Sequence, residues 1–348
     1  MLSPRDLARY SRQMLVKNIG YKGQMKLAES KVAIVGCGAT GSFMANLLAR
    51  MGVGYIRLID RDIVELSNLH RTNLLDEEDV EKAKPKSVAC REKILRINSG
   101  IRVEAVIDRL SKQNAEKLLV GVDLILDGTD DVETRLLIND LAVKHGIPWI
   151  YVGVERWYGV VMPIIPGETA CYRCIIDKPP ERRGNACEYL GVINPAVALT
   201  TSIAASLALR ILLSEKVEGA MYIIDAWRNE VNKIKIVRNP RCPACVLNRY
   251  DYLEGETVSG ASVICGSNQV EILPPKQLRL ELENLRGLNE VRVLKFNKYV
   301  ALIQFQDLEL MLFNNGRAIV TNTIDREKAL RGYEKLLEKL KREGVIRR

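Results

Sequence analysis

The sequence predicts an α/β chain that ends in a small α+β unit. Three observations carry that expectation. A glycine-rich turn joins a β-branched run to a helical pattern in "SKVAIVGCGATGSFMANLLARMGVGYIRLID". Two C-x-x-C steps follow, Cys171 with Cys174 and Cys242 with Cys245, and the composition changes after the second. With 348 residues and 47% hydrophobic content, the chain is long enough for one large domain and a smaller one.

Lys31 to Val35 reads as a strand, the residues from Gly36 to Gly41 as a tight turn, and "SFMANLLARM" as a helix by its apolar spacing. Gly36 allows the turn, Gly38 lets a phosphate approach the backbone, and Gly41 lets the helix pack on the sheet. Asp60 ends the next strand, where a carboxylate can hold ribose hydroxyls. The motif alone indicates a nucleotide site without saying which nucleotide, and by itself suggests a nicotinamide dehydrogenase. The residues that follow point elsewhere. "DRDIVELSNLHRTNL" gathers Asp60, Asp62, Asn68 and Arg71 in a polar loop, Lys86 opens a helical pattern, and "VDLILDGTDDVETR" ends a strand with Asp127, Asp130 and Asp131. Carboxylates at the edge that carries a glycine turn, with Arg and Lys beside them, suit magnesium and a triphosphate, which hydride transfer does not need. The bland alternative is a set of solvated loop ends.

The paired cysteines occur beside only two histidines and fit a closed, structural tetrathiolate zinc site of Cys171, Cys174, Cys242 and Cys245. The N-terminus is charged where a secretory signal needs an apolar core, and "AVALTTSIAASLAL" stops at Arg210 and reads as a buried helix. A cytoplasmic protein with reduced thiols is expected. The formal charge is +9, and residues 263–348 hold 16 Lys plus Arg against 11 Asp plus Glu. No basic block carries interleaved aromatics, so neither nucleic acid nor membrane is an expected partner.

Together "RYSRQ" at 9–13, "GCGATG", "DRD", "SNLHRTN", "PKS", "DGTDD" and the two cysteine pairs resemble the ThiF/MoeB/HesA family of ubiquitin-activating-enzyme-like adenylyltransferases, which includes archaeal enzymes that activate small ubiquitin-like modifiers and sulfur carriers. The resemblance spans about residues 5–250. It implies a Rossmann-like adenylation domain with a mixed, largely parallel sheet, working as a homodimer. ATP and magnesium would adenylate the C-terminal glycine of a β-grasp protein ending in Gly-Gly, and the acyl group would pass to a thiol or sulfur donor.

Carried over residue by residue, the family's pattern gives Asp60 the ribose and the backbone of Gly36, Gly38, Ala39, Thr40 and Gly41 the nucleotide. Asn68, Arg71 and Lys86 would take the phosphates and Asp130 the magnesium. Arg12 resembles an arginine that reaches a partner subunit's terminal phosphate. The family often has Gln where His70 stands and Asn where Asp131 stands; a carboxylate at 131 suits a cap for the following helix. Of the other cysteines, Cys37, Cys90 and Cys265 have structural readings. Cys187, in "PPERRGNACEYLGVINP", matches the family's loop cysteine, which forms a thioester or a persulfide-linked conjugate in some members and is dispensable in others. A catalytically inactive nucleotide-binding scaffold is the rival expectation, with an NAD-dependent dehydrogenase the weakest candidate.

The expected division is 1–250 for the adenylation domain, 251–262 for a linker and 263–348 for the α+β unit. In the last, "PKQLRLELENLRGL" reads as helical, four short strands follow, and "DREKALRGYEKLLEKLKREG" reads as an amphipathic helix. Such a unit either recruits a conjugating enzyme, as in full ubiquitin-activating enzymes, or serves packing and dimerisation.

Overall fold

Val32, Ala33, Ile34 and Val35 are all buried, so this strand is covered on both faces, as a central parallel strand must be. The computed structural model describes residues 1–176, 190–255, 261–263, 268–274 and 278–347. Its strands in chain order are β1 (Lys31–Val35), β2 (Tyr55–Ile59), β3 (Arg102–Val106), β4 (Leu124–Asp127), β5 (Trp149–Glu155), β6 (Tyr158–Ile164), β7 (Ala220–Asp225) and β8 (Glu230–Lys235). They form one sheet in the order β3-β2-β1-β4-β5-β6-β7-β8. The pairings from β3 to β5 are parallel, and those from β5 to β8 are antiparallel.

Alternate residues of β1 feed two cores. Val32 and Ile34 pack with the helices Ala39–Met51, Lys86–Ile97 and Asn194–Leu212. Ala33 and Val35 pack with Ala115–Leu119 and Val132–His145 on the other face. The helix Asn194–Leu212 is long and apolar enough to cross a membrane, yet its Val197, Ala204 and Ala208 are fully buried, and it lies against Ala39–Met51, β5 and β6. The expectation of a core helix there is met.

The chain continues with β9 (Ala261–Val263), β10 (Val270–Ile272), β11 (Arg279–Leu280), β12 (Val291–Phe296), β13 (Val300–Phe305), β14 (Leu308–Phe313), β15 (Ala318–Thr321) and β16 (Ile346–Arg347). A second, antiparallel sheet runs β12-β13-β14-β15-β10-β9, and β11 pairs with β16. The helix Arg326–Arg342 lays Ala329, Tyr333, Leu336 and Leu340 on this sheet's own core. The four strands and the final helix stand where the sequence puts them.

Two expectations need correction. The helix expected in "PKQLRLELENLRGL" is instead, in its described part, β11 followed by a single 3-10 turn at Leu282–Leu285. Leu278, Leu280 and Leu282 alternate at strand spacing, and the run is too short for the helical spacing to win. The linker expected from 251 begins with a helical turn, Asp251–Glu254. Arg173 pairs with Asp251 at 3.0 Å, the Tyr252 N–H donates to Asp140 at 2.9 Å, and Leu253 is buried, so these residues belong to the first sheet's core.

The two sheets meet at an apolar seam of Ile63, Ala83, Val300, Met311, Phe313 and Ile319. Beside it Asn297 Nδ2 donates to the carbonyls of Lys82 (2.9 Å) and Ala83 (3.0 Å).

Candidate functional site

The ends of β1, β2 and β4 bring the glycine turn and the acidic loops to one edge of the first sheet. Backbone crowding dictates the glycines. Gly36 has φ +90°, and a β-carbon there would lie 2.4 Å from the Gly128 carbonyl oxygen. A β-carbon on Gly41 would come within 1.9 Å of the Gly36 carbonyl oxygen, so helix and strand touch backbone to backbone. Gly41→Ala is therefore expected to cost about 1–3 kcal/mol by overpacking, read as a lower melting temperature. Gly38 faces open space, with no atom of the described residues within 4 Å of where a β-carbon would stand. It is also the N-cap of helix Ala39–Met51 and offers no side chain to the first amides. Those N–H groups, of Ala39, Thr40 and Gly41, suit an anion.

Asp60 ties β2 to this turn, accepting from the Cys37 N–H at 2.6 Å and from the Asp62 N–H at 2.8 Å. Burial pushes its carboxyl pKa up, and Lys86 opposes the rise. Each Asp60 oxygen keeps a lone pair for a hydroxyl donor. Lys86 opens helix Lys86–Ile97 and is held twice to the loop after β2. Its Nζ donates to Asp62 Oδ2 at 3.2 Å, and its N–H donates to the Asp62 carbonyl at 2.8 Å. Burial alone would lower the Lys86 pKa, but Asp62 and Asp60 outweigh it and raise the pKa, so the ammonium stays charged. Asp62 has both oxygens engaged, by Lys86 and by Arg61 Nε at 3.5 Å.

At the end of β4 the three aspartates divide their work. Asp127 is fully buried and accepts from the Thr129 N–H (2.8 Å), the Thr129 hydroxyl (2.7 Å) and Arg135 Nε (2.8 Å), so it shapes the loop. Asp131 is the expected cap, accepting from the N–H groups of Glu133 (3.3 Å) and Thr134 (3.0 Å). Asp130 is exposed and, among the described residues, engaged in no hydrogen bond or ion pair.

Asn68 and Arg71 lie in the 3-10 turn Leu66–Arg71. Asn68 Oδ1 accepts from the Glu65 N–H at 3.2 Å, and Arg71 Nη1 donates to the Ser67 carbonyl at 2.5 Å, so both brace the turn itself. The His70 carbonyl accepts from Asn194 Nδ2 at 2.9 Å, pinning the turn to the long core helix. Arg12 is exposed on helix Pro4–Met14. That helix packs through Tyr10, which accepts from Asn98 at 2.8 Å and crowds Gly52 before β2, at the opposite edge of the sheet. Within one chain, Arg12 is not brought to the site. Cys37 and Cys90 are buried, consistent with structural roles, whereas Cys187 and Cys265 lie outside the described residues.

The four cysteine sulfurs of Cys171, Cys174, Cys242 and Cys245 lie within 4.8 Å of one another. The spacings Cys171–Cys174 (3.9 Å), Cys171–Cys242 (3.5 Å) and Cys174–Cys245 (3.5 Å) sit near the roughly 3.8 Å edge of a tetrahedron with 2.3 Å zinc–sulfur bonds. Arg238 Nε donates to Cys245 Sγ at 3.4 Å and the Asn239 N–H to Cys174 Sγ at 3.5 Å, contacts that suit thiolates. Hydrogen bonds within the cluster, from Cys171 first, draw the Cys174 pKa down. The donor set fits a closed four-sulfur metal site.

Sequence reasoning missed Arg135, which is buried and also donates to the Val152 carbonyl at 3.1 Å. A charge on the apolar face of "VETRLLIND" was its signal. It also missed Arg61, Arg109, Glu271 and Arg317, which join the two sheets.

A glycine turn with uncapped helix amides, a buried carboxylate at the neighbouring strand end and a captive lysine define an α/β nucleotide-binding protein with a separate tetrathiolate cluster. The chain belongs to the ThiF family, whose model matches residues 10–244. It is 36% identical over 331 residues to the sulfur carrier protein ThiS adenylyltransferase of Bacillus subtilis (strain 168), covering 94% of this chain and 98% of that one. It is 32% identical over 257 residues to the SAMP-activating enzyme E1 of Haloferax volcanii, covering 73% and 94%. Among solved structures, E. coli MccB with ATP matches with a TM-score of 0.59 and 25% identity over 68% of this chain and 74% of that chain.

Proposed function

We propose that this chain is an ATP-dependent adenylyltransferase that activates the C-terminal glycine of a β-grasp sulfur carrier or ubiquitin-like modifier. The observation that carries the reading is the single sheet edge on which uncapped helix amides, Asp60 and Lys86 converge, in a chain whose relatives are named adenylyltransferases of sulfur carriers. Asp60 would accept from the ribose hydroxyls, the amides of Ala39 to Gly41 would face phosphate oxygens, and Lys86, Arg71 and Asn68 would hold the rest of the triphosphate. Asp130 would hold the magnesium that neutralises phosphate charge. The carrier's carboxylate oxygen bonds to the α-phosphorus, the bond to the bridging oxygen breaks, and pyrophosphate leaves with that electron pair.

The acyl group then passes to a thiol or sulfur donor, with Cys187 as the candidate acceptor in this chain. A homodimer is part of the reading because Arg12 can serve a nucleotide site only in trans. The thiolate cluster would hold zinc, and reduced thiolates suit a cytoplasmic setting. The second sheet, with its own core, supports a division into an adenylation domain and a smaller α+β domain.

Pyrophosphate exchange into ATP, run with each Gly-Gly-terminated β-grasp protein of the source organism, is the test. Exchange is expected with one carrier, surviving in Cys187→Ala. Failure with every carrier, although ATP binds, would leave a nucleotide-binding scaffold in its place.

A further inference from the structure

β10 places Val270 and Ile272 in the second sheet's core and turns Glu271 to the other face, toward the first sheet. Glu271 is 1% exposed, and so is Arg317. A carboxylate buried to this extent is costly unless charges surround it, and apolar replacements of buried ion pairs are often as stable. Stability alone therefore gives a poor account of its presence.

Its contacts run to the nucleotide edge. Arg317 Nε donates to Glu271 Oε1 at 2.7 Å, and Arg317 Nη1 donates to the Arg61 carbonyl at 2.7 Å. Glu271 Oε2 meets Arg61 Nη1 at 3.1 Å and Arg109 Nη1 at 3.7 Å. Arg61 then pairs with Asp62, the partner of Lys86. Arg109 Nη2 pairs with Asp131, the cap next to Asp130, at 3.5 Å. One carboxylate of the second sheet thus anchors two arginine arms, one to the loop after β2 and one to the loop after β4. Among the described residues the buried Nη2 of Arg317 has no hydrogen-bond partner, a further sign that this network is kept at some cost to stability. Burial would raise the Glu271 pKa, but Arg317, Arg61 and Arg109 outweigh it and hold the carboxyl below its ordinary value.

We propose that Glu271 is a positioning residue of the nucleotide site: through Arg61 and Arg109 it sets the two loops against each other and gives the second sheet a part in ATP and magnesium affinity. The proposal rests on the adenylylation reading. Without the Glu271 charge, three guanidiniums lose their shared counter-ion, and the arms of Arg61 and Arg109 turn toward Asp62, Asp130 and Asp131, where they compete with magnesium.

The test measures the Kd of magnesium–ATP by calorimetry on the full chain, ATP KM and kcat in carrier-dependent exchange, and the melting temperature, for wild type, Glu271→Gln and Arg109→Gln. Glu271→Gln is expected to raise the Kd and KM of ATP about tenfold with kcat within about twofold. Arg109→Gln, at a side chain 33% exposed, removes the arm that holds the loop after β4 together with a cation that could compete. A several-fold rise in the magnesium concentration for half-maximal binding, expected with the melting temperature within a few degrees of wild type, therefore reports the loop's position and not charge competition. A Glu271→Gln protein that melts earlier but binds ATP like wild type overturns the proposal, as does an Arg109→Gln protein with an unmoved magnesium requirement. Wild type that binds ATP without supporting exchange fails the adenylylation reading alone, and the Kd comparison still decides the role of Glu271. Wild type that binds no ATP sinks both.

Discussion

Asp130→Ala is expected to lower carrier-dependent pyrophosphate exchange about 10²–10³-fold and to leave the melting temperature where it was. The two halves of that expectation come from one observation. Asp130 is exposed and makes no hydrogen bond or ion pair among the described residues, so its removal breaks nothing in the fold. Surface changes of this kind usually stay within about 0.5 kcal/mol. Its neighbours differ: Asp127 is consumed by Thr129 and Arg135, and Asp131 caps a helix. Asp127→Ala should therefore destabilise the protein, and its loss of activity would say little about magnesium. Lys86→Met has the same weakness, because Asp62 would lose one of its two partners. If Asp130→Ala retains full exchange at limiting magnesium, its assignment as the metal ligand is wrong.

Cys242→Ser is expected to lower the melting temperature by about 5 °C, taking a loss of roughly 4 kcal/mol for a chain that unfolds as one unit. Metal analysis should find one zinc per wild-type chain and none retained tightly in the variant. Cys242 is fully buried and bridges to Cys171 across 71 residues of chain. A metal held there clips the turn after β6 to the segment after β8, and cross-links that close long loops give large entropic stabilisation. A closed four-thiolate site leaves no position for substrate, so kcat measured well below the melting temperature should change little. An unaltered melting temperature together with no bound metal in wild type would reduce the cluster to packed thiols.

The legible parts of this molecule are those whose physics is local. Val32 to Val35, the glycines and the periodic "SFMANLLARM" specify strand, turn and helix within about twenty residues, and each glycine proves to be required or open as its place in the turn suggests. The cysteine steps foretell a cluster because two sulfurs three residues apart need only one turn to converge. Asp131 as a cap was legible for the same reason. The misread segments lie where a short apolar run satisfies two periods, as with Leu278 to Leu288, or where tertiary contacts order a polar stretch, as with Asp251 to Leu253. The Glu271 network was beyond sequence reasoning because Arg61 and Glu271 stand 210 residues apart and meet only through the packing of two finished sheets.

That packing also bears on how the protein comes apart. Ile63 and Ala83 belong to the first sheet's loops, yet they are buried against Val300, Phe313 and Ile319 of the second. Opening the seam exposes apolar surface on both sides and parts Glu271 from Arg61 and Arg109, and Arg317 from the Arg61 carbonyl. The two cores are therefore expected to melt in one cooperative transition, with local openings spreading across the boundary instead of stopping there.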